Sequence, residues 1–174
     1  MPRRFRAAAG ACYSLAMTLH RRTLLAFGLA ALATLPAAAP AGAQAPNVRF
    51  ETSSLTIESD GKVHRFTVEM ADNDERRTVG LMFRRQMAPD AGMLFDFQRD
   101  APVAMWMRNT LIPLDMLFVD ARGIVRKVHA RAVPLSEAII ASDEPVRAVL
   151  ELNGGTAARL GLKQGDRLVH PMFR

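Results

Sequence analysis

Leu55-Thr-Ile-Glu-Ser-Asp60-Gly61-Lys-Val-His-Arg-Phe-Thr-Val-Glu-Met70 is the stretch that decides the fold class. Leu55, Ile57 and Ser59 share one phase of a two-residue period, and Phe66, Val68 and Met70 share one phase of the next run. Asp-Gly between two alternating runs is a strong short-range signal for a β-hairpin, because both turn positions favour left-handed backbone. The same kind of reading extends along the rest of the chain. Met93, Phe95 and Phe97 mark a strand after the turn at Pro89-Asp90-Ala91-Gly92, and residues 103–108 and 114–119 read as two more, joined by a link that ends in Pro113. Asp120 to Gly123 turns the chain into a strand over 124–130, a loop carries Pro134 and Pro145, and further strands are expected at 146–152 and 167–170.

Helix signals are few. Asp72 or Asn73 offers a cap, Asp74 and Glu75 follow in the first turn, and Val79, Met82, Phe83 and Gln86 recur at helical spacing, so one helix is expected to about Met87. Gly80 in its middle costs about 1 kcal/mol relative to Ala, which points to close approach of another backbone or a ligand. Thr156 reads as the cap of a one-turn helix stopped by Gly161. Many short strands against one real helix predict a mainly β (α+β) domain, either a jelly-roll-like sandwich or a distorted barrel, with one main helix and a short C-terminal helical turn.

Ahead of this domain, residues 1–43 hold five arginines and no Asp or Glu. His20-Arg21-Arg22, an apolar run over 23–35, Pro36 and the small residues Ala41-Gly42-Ala43 follow the order of a cleaved secretory signal, cut between Ala43 and Gln44, with Ala45 as the second choice. An apolar run of 13 residues falls short of the roughly 20 needed to span a bilayer, so the membrane is met only during export. Met17 is the better-placed start. A periplasmic or secreted location is expected, with residues 44–52 as a lead-in and 53–174 as a single domain. Removing the five arginines from 23 Lys plus Arg leaves 18 against 17 Asp plus Glu, a net charge of +1 in place of +6, which removes the electrostatic case for nucleic acid. The single cysteine, Cys12, leaves with the signal, so the domain relies on its core in an oxidising compartment.

The words Arg77-Thr-Val-Gly-Leu-Met-Phe-Arg84, Gly92-Met-Leu-Phe95, Trp106-Met-Arg-Asn-Thr-Leu-Ile-Pro-Leu-Asp115 and Val149-Leu-Glu-Leu-Asn153, with Gly161 and Gly165-Asp166, make the chain resemble the bacterial and archaeal proteins grouped as domain of unknown function 192. The resemblance covers nearly the whole domain. It implies a compact, mostly β fold often preceded by a signal peptide, and it implies no activity. Met105, where the family shows an aromatic, and Gly154, where it shows Ala, are small departures.

Strand alternation would set Trp106 and Arg108 on one face and Met105 and Met107 on the other. An indole beside a guanidinium, with Asn109 and Asp115 near, makes a surface on which a sugar or other small polar ligand stacks and bonds. The plainer alternative is that Trp106 is core, Arg108 stacks on it, and Asp115 neutralises an arginine. Asp115 sits among apolar neighbours and needs a partner, for which Arg77, Arg84, Arg108 and Asn109 are candidates. Asp115 with Glu151 also raises the reading of an acid and base pair in a hydrolase. The methionines suit copper chemically, but no His accompanies them at ligand spacing, and no nucleophile elbow or phosphate loop is present, so no cofactor and no metal are expected. Three functions stay open: an exported binder of a small polar ligand or envelope protein through Arg77, Arg84, Trp106, Arg108, Asn109, Asp115 and Glu151; a carboxylate-pair hydrolase; and an interaction module without a small ligand.

Overall fold

The computed structural model describes residues 47–173; the expected signal segment, its cleavage points and Cys12 lie outside the described residues. Strands β1 (Glu51–Ser59) and β2 (Lys62–Ala71) form the expected hairpin, starting four residues earlier than Leu55. Ser59 faces Lys62 across a two-residue turn in which Asp60 (φ 47°) and Gly61 (φ 72°) are both left-handed. That is the backbone an Asp-Gly turn favours, since it matches the twist of the flanking strands.

From β2 the chain passes through helix α1 (Asp74–Val79) to strand β3 (Ala91–Ala101), which pairs with β2 in parallel, Thr67 opposite Ala91 through Ala71 opposite Phe95. Then come β4 (Ala104–Met105), β5 (Leu114–Val119), β6 (Val125–Ala132), β7 (Ile140–Ala141), β8 (Val146–Asn153), helix α2 (Thr156–Leu160) and β9 (Arg167–Val169). Seven strands make one curled sheet in the order β6-β5-β8-β3-β2-β1-β9, and β4 and β7 pair separately. The two edges of the large sheet meet at one end, where Val125 N–H donates to Asp166 O at 2.8 Å and Leu168 N–H to Gly123 O at 2.7 Å. Of the two architectures left open by the sequence, the distorted barrel is the one observed.

The central strands are buried on both faces, which explains the uninterrupted burial of β5. Inside the curl, Leu55, Ile57, Val68, Leu94, Leu117 and Leu150 form one core. On the outer face Met93, Phe95, Met107, Met116, Phe118 and Val149 form a second, roofed by the long connections. This outer core is where the candidate site lies.

Three expected elements differ. The helix stops at Val79 instead of Met87, because Gly80 takes φ 46°, ψ −133°, outside helical backbone, and Phe83 follows at φ 64°. The strand expected over 103–108 is only Ala104–Met105: Met107 N–H donates to Ser136 O at 2.9 Å, Thr110 N–H to Met107 O at 3.0 Å, and Asn109 is left-handed at φ 57°, so the chain turns there. The cap of α2 is Gly155 in left-handed backbone, without a side-chain cap from Thr156; the missing acceptor comes from Asp115, as described below.

Candidate functional site

Register sets the site. On β8, Glu151 lies between Met93 of β3 and Met116 of β5, its side chain on the outer face with Val149. Only 4% of its surface is exposed, and among the described residues no hydrogen bond or nearby charge offsets the burial of its carboxyl. Burial without compensation disfavours the charged form and pushes this carboxyl from 4.5 up to about 8.

Above Glu151 opens a pocket of about 130 Å³, walled by the segment around Gly80, by Phe95 and Phe97 of β3, and by Trp106 and Arg108 at the rim. That volume compares with a cavity of about 150 Å³ that accepts a benzene-sized molecule. Trp106 is 44% exposed, and the Arg108 guanidinium carbon stands 5.5 Å from the centre of its ring. Arg77 stands 5.9 Å from the Phe97 ring centre, donates to Asp96 O at 2.6 Å and pairs with Asp74 at 2.6 Å. Arg108 is more loosely held, 3.7 Å from Glu137.

Gly80 is the hinge of the wall. A Cβ there would stand 3.1 Å from the Phe95 ring, and the backbone itself is in a region that L side chains rarely adopt. The close neighbour is thus the Phe95 side chain, a packing contact, where the sequence pointed to another backbone or a ligand. Gly80→Ala should cost about 1–3 kcal/mol from strain and crowding together, read as a lowered urea midpoint.

The pocket gathers Arg77, Trp106, Arg108 and Glu151. Three other residues expected at the site lie elsewhere. Arg84 pairs with Glu69 and covers the Phe50 ring at 5.6 Å. Asn109 braces the turn, its Nδ2 3.8 Å from Met82 Sδ and its carbonyl accepting from Phe83 N–H at 2.8 Å. Asp115 faces the opposite side of the sheet: it sits opposite Leu152 on β8, whereas Glu151 sits opposite Met116. Alternation thus sends the two acids to different faces, so an acid and base pair does not assemble, and the indole and Asp115 do not share a hollow. Asp115 is fully buried, and its carboxyl oxygens accept backbone N–H groups from Arg131 (2.8 Å), Gly155 (3.0 Å) and Ala157 (2.7 Å). It supplies from another strand the acceptor that α2 lacks at its own start.

Phe95 and Phe97 belong to the pocket although the sequence reading placed them only in a core phase; their one signal was membership of the same strand phase. Among the described residues no group of three His, Cys, Asp or Glu is arranged to hold a metal ion, and no helix is long and apolar enough to cross a membrane.

Comparison with known proteins places this architecture. The profile of domain of unknown function 192, described as an uncharacterised ACR, matches residues 55–170. The chain belongs to this family. Among solved structures, a Sinorhizobium meliloti 1021 protein provisionally described as a transcription regulator is 54% identical, with a TM-score of 0.69, covering 70% of this chain and 95% of its own. A protein of unknown function from Novosphingobium aromaticivorans DSM 12444 is 39% identical, with a TM-score of 0.69, over 77% of this chain and 94% of its own. No curated protein matches the chain. As a domain of unknown function 192 protein, it combines the family's fold with a buried acid at the floor of an aromatic pocket.

Proposed function

We propose that this chain is an exported periplasmic protein that binds a small polar ligand in the pocket between Trp106 and Glu151. The single observation that carries the reading is Glu151: a carboxyl so deeply buried, without a partner, at the floor of an opening. A carboxyl whose burial no charge or hydrogen bond offsets is costly, and such perturbed acids facing an opening cluster at functional sites. The rim supports the same view, since a half-exposed indole under a guanidinium offers a flat face and hydrogen-bond donors. The signal-like segment at residues 1–43 supports export, and the near-neutral charge of residues 44–174 offers little to a polyanion.

Thermal shift of the purified protein against sugars, cell-wall fragments, organic acids and nucleotides tests the binding. A rise in Tm is expected for one class, and it should vanish in Trp106→Ala, whose own stability should stay within about 1 kcal/mol because the residue is half-exposed. Silence from every class would end the reading. Export is tested separately by N-terminal sequencing of the protein from a periplasmic fraction, which should begin at Gln44.

A further inference from the structure

We infer that the pocket takes the carboxylate end of a small organic acid, which accepts the Glu151 carboxyl hydrogen at the buried floor and pairs with the Arg108 guanidinium at the rim. The inference rests on the proposed site and adds the chemical class of its ligand.

The charged residues lining the pocket are Arg77, Arg108 and Glu151. While Glu151 holds its proton, the lining carries two positive charges and no negative one. The counter-charges of the arginines sit on the solvent side: Asp74 is fully exposed and Glu137 is 67% exposed, so water and salt screen them. A cationic ligand would enter beside two guanidinium groups whose positions over Phe97 and Trp106 already use those rings. A neutral ligand would meet the Arg108 guanidinium only through the weaker hydrogen bonds of an uncharged acceptor. A carboxylate satisfies both, because an O–H donated to an ionised oxygen and an N–H donated by a guanidinium are the stronger kind of hydrogen bond.

Most groups that face Glu151 are uncharged or already paired. Its neighbours across the sheet, Met93 and Met116, are uncharged. One strand further on either side, Glu69 is paired with Arg84 and His129 lies opposite Met116. On its own strand, Arg147 is held by Asp96 at 2.8 Å. The wall contributes Arg77 and the rim Arg108.

The size of the pocket limits the acid to a body of a few carbons, so butyrate, butyramide and butylamine are matched probes. Trp106 is the chain's one tryptophan, and its fluorescence reports the site directly. Butyrate should quench or shift it at lower concentration than either analogue. With Glu151 titrating at about 8, its affinity should fall roughly tenfold between about pH 7 and about pH 9 as the acid loses its proton. Glu151→Gln keeps an N–H donor and cannot ionise, so it should bind butyrate at neutral pH and lose the pH dependence. Arg108→Gln should weaken butyrate by about tenfold or more. Tighter butylamine, equal butyramide, or a sugar that binds through Trp106 where butyrate does not would overturn the ligand class and leave the site standing. No response of Trp106 to any probe or to the wider ligand panel would remove the site as well.

Discussion

Asp115→Ala is expected to lower the stability of the folded chain by about 3–5 kcal/mol, the largest loss we foresee. Three backbone N–H groups converge on this carboxyl, from Arg131 on β6, from Gly155 and from Ala157 in the first turn of α2. Removing it leaves donors buried without acceptors, and each such orphan costs about 1–3 kcal/mol, with some relief if water enters. Because α2 has no cap of its own, the loss should concentrate there: amide exchange at residues 155–160 should accelerate more than in β3 or β5. Asp115→Asn keeps one acceptor oxygen but turns an NH2 toward other donors, so it should fall between wild type and Ala. A midpoint of urea unfolding unchanged in both variants would show that the three bonds hold nothing together.

Glu151→Gln should do the opposite, and its effect should depend on pH. The folded chain keeps the Glu151 proton up to about 8, whereas an exposed carboxyl releases it near 4.5. Between those values the folded state binds more protons than the unfolded state, so stability falls as pH rises. It is full below 4.5 and lost above 8. At about 1.4 kcal/mol per pH unit, that window amounts to roughly 5 kcal/mol. The glutamine variant has no such slope, so its advantage over wild type should be small near pH 5 and reach about 3–5 kcal/mol near pH 9. Parallel urea curves across this range, with a constant gap, would mean that Glu151 finds a partner in solution. A residue that weakens its own fold at the floor of a pocket is what a binding role predicts.

How much of this was readable in advance depends on whether the deciding contact was local. The hairpin at Asp60-Gly61 was, since alternation and turn chemistry sit within the same twenty residues. So was β5, where Pro113 set the start. The length of α1 was not, because what holds Gly80 out of helical backbone is packed against Phe95 of another strand. The turn at Asn109 was hidden for the same reason: its partners are Phe83, Leu135 and Ser136, all more than twenty residues away. Asp115 is the most instructive. Its burial demanded a partner, and the sequence suggested arginine or asparagine side chains, but the partners are main-chain N–H groups, which every residue except proline carries and no sequence pattern marks. Trp106 with Arg108 was legible as a local pair. That Glu151 would join them while Asp115 would not turned on a single step of register between β5 and β8.

The parallel pairing of β2 with β3 also has an engineering consequence. A parallel neighbour obliges the chain to travel back along the sheet, and residues 72–90 are that return path. Five paired positions span about 16 Å, whereas nineteen residues fully extended would reach roughly 60 Å, so the path carries a large surplus of chain. That surplus is what forms α1 and the wall around Gly80. A longer segment spliced between Val79 and Pro89 should therefore reshape the chamber without disturbing strand order, so one contiguous cassette is open to redesign.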